Sequence, residues 1–261
     1  MHSNPARVIV AFCITCGCAV SAHSTAQVAI RTPDEIVIGA DSEVDDAAGL
    51  PVGKTCKIRR LGLSIFITTM GMSEDQPTRF NAFDIAEKSS SRTTGSILAK
   101  VDAIEAAIDV SLKNALTRIK RDTPRDFQAN AIERTPLSII VAGLEKNVLV
   151  IYGRTFRVGS YAADGTVTLT VDRVECPGRE CKHSGGRLRS LGSPIGKPDS
   201  DRFDHLYPNS WSEPGIIVAR NFFEMVRGES GVGPPIDILR ITKAGARWIE
   251  SEGCQAHKRG K

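Results

Sequence analysis

Thr25, Asp41, Lys57 and Gly71 follow one another at intervals of 16, 16 and 14 residues, and their chemical groups suit acyl transfer. A threonine hydroxyl is a poor nucleophile at neutral pH and needs a base to take its proton. A free α-amine, with an ordinary pKa of about 7.7–8, can do this directly or through water. It can later hand the proton to a leaving group, which an amine locked in a peptide bond cannot do. The chemistry therefore requires a cut before Thr25. A lysine cation beside that amine and hydroxyl lowers both pKa values, and Lys57 is the candidate. A buried lysine needs a carboxylate partner, a role that suits Asp41. Gly71 ends an apolar run, where a backbone N–H can face a developing oxyanion and a missing side chain lets substrate approach. The set fits attack on an amide or peptide carbonyl.

The residues before Thr25 supply a reason for such a cut. Arg7 precedes the apolar run "VIVAFCITCGCAV", and "SAHS" follows it, which is the order of a secretory leader. Small residues at −3 and −1 allow cleavage after Ala22 or after Ser24; only the second exposes Thr25. A lipid-modified Cys18 is disfavoured because Thr15 stands where an aliphatic residue is needed. The expected divisions are a leader over residues 1–24, one domain over 25–250 and a basic tail over 251–261. The expected location is periplasmic or secreted, the alternative being cytoplasmic with a self-cleaved pro-segment.

With 261 residues, 41% of them hydrophobic and 25% charged, the chain can bury a full-sized core. A net charge of +4, spread evenly, does not argue for nucleic acid. Past the leader no apolar run is long enough to span a bilayer, so no membrane partner is expected for the mature form. Of seven cysteines, Cys13, Cys16 and Cys18 fall in the leader, leaving Cys56, Cys176, Cys181 and Cys254. An even number in an exported chain permits disulfides. "CPGRECKH" is read as a Cys176–Cys181 loop disulfide or as free thiols. A zinc site with His183 lacks a second ligand pair. The run "DSEVDD" lacks the glycine of a calcium loop, and "GVGPP" lacks the Lys-Ser/Thr ending of a phosphate loop. No cofactor or metal is expected.

The elements that must position these residues are strands first. Residues 26–31 and 35–40 read as two short buried strands joined by "TPDE", and residues 55–59 and 63–70 as another pair. A short helix is expected over 80–88, with "SSSRTTG" as linker and cap source. Ile97, Val101, Ile104, Ile108, Leu112, Leu116 and Ile119 then step by three or four, the period of an amphipathic helix. Strands are expected at 137–144, 148–152 and 166–171. After the Gly- and Pro-rich stretch 176–198 comes a helix over 213–226, with Ser212 as N-cap and an apolar face including Ile216, Ile217 and Phe222. A strand at 236–242 follows, and another at 247–250. Strands in runs with grouped helices predict antiparallel sheets covered by helices, an α+β fold; two packed sheets would make a four-layer αββα sandwich.

Thr25, the "ADS" of Asp41, the "CKI" of Lys57 and the "TMG" of Gly71 resemble the proteasome β-subunit class of N-terminal nucleophile hydrolases, at intervals like the family's own. More loosely, "SLGSP" and "EPGIIVARNFFEMV…PPIDILRITKAG" are similar to its later segments, so the resemblance covers most of residues 25–245. It implies a threonine peptidase or amidase acting on a peptide or other amide substrate, in a possible homo-oligomer. It also implies that Ser193 supports the Thr25 amine, and that Thr69 lines the substrate pocket while Met70 points into the core. Two departures stand out: Ser24 replaces the family's Gly before the nucleophile, and Glu229, with Ser230 or Val232, replaces its second supporting Asp and Ser. The alternative implied is a catalytically inactive subunit with a scaffold or assembly role.

Overall fold

The computed structural model describes residues 26–45, 51–162, 164–178, 181, 186–192, 199–229 and 232–254. Residues 1–25, His183, Ser193, Ser230 and residues 255–261 lie outside the described residues.

The chain forms an α+β fold built on two five-stranded antiparallel sheets. The strands are β1 (Gln27–Arg31), β2 (Glu35–Asp41), β3 (Glu43–Asp45), β4 (Pro51–Lys54), β5 (Ile58–Arg60), β6 (Ile65–Gly71), β7 (Glu74–Asp75), β8 (Phe80–Asn81), β9 (Leu137–Glu145), β10 (Val148–Tyr161), β11 (Val167–Cys176), β12 (Leu188–Gly192), β13 (Ile236–Thr242) and β14 (Gly245–Ser251). One sheet runs β12-β1-β2-β13-β14 and the other β11-β10-β9-β6-β5. The helices are α1 (Ala82–Arg92), α2 (Ile97–Asp122), α3 (Pro124–Phe127), α4 (Asp199–Leu206) and α5 (Gly215–Val226).

Strand alternation sorts the apolar side chains into separate cores, because successive residues face opposite sides of a sheet. On β2, Ile36, Ile38 and Ala40 join Phe66, Ile140 and Ile151 from the other sheet. Val37, between them, joins Phe222 and Phe223 of α5. On β9, Leu137, Ile139 and Val141 join the α2 stripe of Val101, Ile104, Ile108 and Leu112. Burying each of these large side chains is worth about 1.5–3 kcal/mol, so the three cores dominate stability.

The α2 stripe is as its period predicts: Ile104, Ile108 and Leu112 have no exposed surface. Its start is fixed by Ser96, whose side chain accepts the Ala99 N–H at 3.1 Å, while Glu145 accepts the Ile97 N–H at 2.9 Å. Helix α5 differs from expectation. Ser212 does not cap it; its hydroxyl donates to the Asn209 carbonyl. The Gly215 N–H instead donates to the buried carboxylate of Glu35 on β2, 3.1 Å away, so the cap comes from a distant strand. Val218, not Ile217, completes its buried face.

Other elements were not foreseen. Helix α1 runs on to Arg92, through residues expected as linker. The stretch 176–198 contains β12, and α4 begins at Asp199. Leu63, expected in a strand, sits in the β5–β6 turn and is 88% exposed. Strands β10 and β11 each run well past their predicted ends. Residues 251–254, expected in a basic tail, are part of the fold: Ser251 closes β14 and Cys254 is buried and disulfide-bonded to Cys56. The Cys176–Cys181 disulfide is also present. Among the described residues no helix is long and apolar enough to cross a membrane.

Candidate functional site

Strands β1 and β2 pair with Gln27 opposite Ala40, which brings Ala26 beside Asp41 at the next step. The Asp41 N–H donates to the Ala26 carbonyl at 3.3 Å, and the Ala26 N–H donates to Asp41 Oδ1 at 2.7 Å. That N–H belongs to the peptide bond that Thr25 makes with the rest of the chain. The other oxygen of the same carboxylate, Oδ2, accepts from Lys57 Nζ at 3.2 Å. The side chains of Lys57 and Asp41 are 4% and 0% exposed, so the ion pair is almost dry. Asp41 and Lys57, expected from the sequence to be partners, are thus brought together, and at the strand end that continues from Thr25.

Two environments compete at Asp41. Burial pushes its carboxyl up to about 6 from an ordinary 3.8, against the downward pull of Lys57 and of the Ala26 and Gly233 N–H groups. We take the ionised form as the one present at neutral pH, because the cation lies in hydrogen-bonding contact. A carboxylate poised this near neutrality is common where chemistry is done, and also where ion pairs are structural.

Gly71 ends β6 opposite Leu137, with φ +90. A side chain there would place Cβ 2.5 Å from the Pro136 carbonyl oxygen. The glycine is therefore required by its own backbone conformation and by the neighbouring strand entry, rather than by open space left for substrate. Thr69 is 2% exposed and lies on the same face of β6 as Ile67, which enters the core formed with α2. Met70 faces the other way, buried as expected, with its sulfur beside Gly192 of β12. Gly192 pairs with Gln27 of β1, so the strand that leads to Ser193 runs alongside the strand that leads from Thr25. Glu229 pairs with Arg202 at 2.7 Å and so is committed to an ion pair of its own.

Three groups at this end were not singled out in the sequence. Ser42 donates its hydroxyl to Asp237 Oδ2, and its N–H to the Pro235 carbonyl at 2.9 Å. Asp237 has no exposed surface, and its carboxyl is raised by burial against hydrogen bonds from Ser42 and the Cys254 and Gly253 N–H groups. The signal for Asp237 was available: one acid inside the apolar strand "IDILRIT" must find buried donors. The signal for the Cys56–Cys254 bond was the even count of cysteines after residue 24.

Among the described residues no group of acidic, histidine and cysteine side chains could hold a metal ion. The arrangement offers a buried anion that orients a cation at the start of β1. Such a pair can stabilise negative charge forming on an atom placed next to it. No protein-family model and no curated protein matches this sequence.

Proposed function

We propose that the protein is an N-terminal nucleophile hydrolase of the threonine type, with Thr25 as nucleophile after removal of residues 1–24. The observation that carries this reading is the Asp41 carboxylate, which holds the Lys57 cation and the Ala26 N–H at once. A buried ion pair is seldom a gain in stability over apolar packing, so its place at this strand end argues for chemistry. The three separate cores support a four-layer αββα arrangement, in which α1 and α2 cover one sheet and α5 the other.

In this reading the Thr25 α-amine takes the hydroxyl proton as Oγ1 attacks the carbonyl carbon of a peptide or other amide. Lys57 stabilises the alkoxide, and Asp41 keeps Lys57 charged and in place. The C–N bond breaks as the proton passes to the leaving amine, leaving an ester on Thr25. Water, losing a proton to the Thr25 α-amine, then releases the acid and restores the hydroxyl. The Gly71 N–H is the proposed oxyanion donor, and Ser193 the support for the amine. An apolar leader and two disulfides favour an exported, oxidising location.

The test is the intact mass of the natural product together with a Thr25→Ala variant assayed on peptide amides. The expected mature chain begins at Thr25. The variant should fold normally and lose activity by on the order of 10³-fold or more, and Thr25→Ser should keep a fraction. Turnover that survives in Thr25→Ala overturns the assignment.

A further inference from the structure

Lys57 lies in residues 55–57, which connect β4 to β5 and belong to neither strand. No sheet ladder therefore fixes the backbone beneath a long, flexible side chain that must reach a buried partner. What holds this connection is a closed circuit of contacts. Cys56, next to Lys57, is disulfide-bonded to Cys254, 198 residues away in sequence, with a Cα–Cα distance of 4.4 Å. The Cys254 N–H donates to Asp237 Oδ1 at 3.2 Å. Asp237 Oδ2 accepts from Ser42, which follows Asp41, and the Thr55 N–H donates to the Ser42 carbonyl at 2.8 Å. The circuit is tight: a Cβ on Gly253 would overlap Ser42 Oγ and lie 2.6 Å from Asp237 Oδ2.

We propose that Cys254 and Asp237 are positioning residues for Lys57, acting through the Cys56–Cys254 disulfide to hold the cation against Asp41. The inference rests on the hydrolase reading for its consequence in catalysis, but the holding of Lys57 can be measured without it. Two-electron reduction by a thiol cuts the circuit: one disulfide and two thiols become two protein thiols and one small-molecule disulfide. The C-terminal segment then keeps its pairing with β13 and its hydrogen bonds to Asp237 but loses its covalent tie to residues 55–57. Lys57 loses its fixed place, while the strands that form the rest of the site keep theirs. Activity should therefore depend on an oxidising environment, the one that an exported chain meets.

The experiment compares the mature protein, oxidised and treated with dithiothreitol, with the Cys254→Ala and Asp237→Asn variants. Acetic anhydride labels accessible lysines, and mass spectrometry reads Lys57 against Lys100, which donates to the Ser90 carbonyl far from the circuit. Reduction and Cys254→Ala should each raise labelling of Lys57 about fivefold or more with Lys100 unchanged. On a peptide amide, kcat should fall about tenfold or more with KM within about twofold, because a displaced cation weakens the transition state rather than binding. Asp237→Asn keeps both cysteines and should move both readouts the same way by less. If Cys254→Ala does not fold, the reduced wild-type protein and Asp237→Asn decide. Labelling of Lys57 unchanged within about twofold on reduction overturns the proposal, as does an equal rise at Lys100, which would mean general loosening. Faster Lys57 labelling in a protein without turnover in any form upholds the positioning and sinks the hydrolase reading instead.

Discussion

Lys57 and Arg154 are both buried cations, yet their surroundings differ in kind. Arg154 has no exposed side-chain surface and meets Glu105 at 2.6 Å, Asp102 at 3.1 Å and Glu175 at 3.2 Å, with Arg173 closing on Glu105 from the other side. Asp102 and Glu175 lie towards solvent, 60% and 37% exposed, while Glu105 is 12% exposed. The Arg173 hydrogen bond does most to hold Glu105 below the usual carboxylate range, against its partial burial and with help from Arg154. Asp41, by contrast, is pushed upward by burial despite Lys57. One centre is wrapped in several opposite charges at the edge of water, where its desolvation is shared. The other is a dry pair whose anion sits near its own titration point. The first arrangement holds α2 onto its sheet; the second keeps a cation available at the start of β1.

That contrast can be broken by exchanging each cation for a methionine of similar length. Lys57→Met should lower kcat/KM by on the order of 10³-fold. Its stability cost should stay within about 1–2 kcal/mol, because Asp41 without its partner takes up a proton at neutral pH instead of remaining a bare buried charge. Arg154→Met should do the reverse, costing about 3 kcal/mol in urea unfolding while leaving kcat/KM within about twofold. Stability lost at Lys57 with activity kept would invert the comparison. A smaller effect sharpens it. The folded-state pKa of Asp41 lies above its ordinary 3.8, so the stability it contributes by taking up a proton is complete below about 4 and lost as pH rises through about 6. Activity needs the anion and runs the opposite way. The pH–rate profile should show an acid limb near pH 6, falling about tenfold per unit below it. A profile flat down to pH 4.5 would detach Asp41 from the chemistry.

How far each feature could be read from the chain depends on the range of the interaction behind it. The stripe of α2 and the strands β1 and β2 were legible because a period of 3.6 or a run of buried residues is a local signature. Met70 was placed in the core by the resemblance, and it is buried. Ser212 looked like a cap by its position before Pro214 but was outcompeted, since Glu35 on β2 reaches the Gly215 N–H. Gly71 was legible as a special glycine, but its reason was not, because the Pro136 carbonyl comes from the distant entry to β9. In the stretch 176–198, Gly and Pro hid β12, which depends on pairing with β1.

Residue types and intervals alone determined that a hydroxyl, a carboxylate and a cation recur at a regular spacing after an apolar N-terminal run, and that four cysteines remain beyond it. Only the tertiary structure decided that Asp41 grips both Lys57 and the Ala26 N–H, that Cys56 joins Cys254, and that Arg154 is matched by three acids. Local patterns follow from backbone geometry over a few residues. Which buried charge meets which partner is set by strand register and core packing across the whole chain, and there the cost of an unpaired group in a dry interior makes the choice.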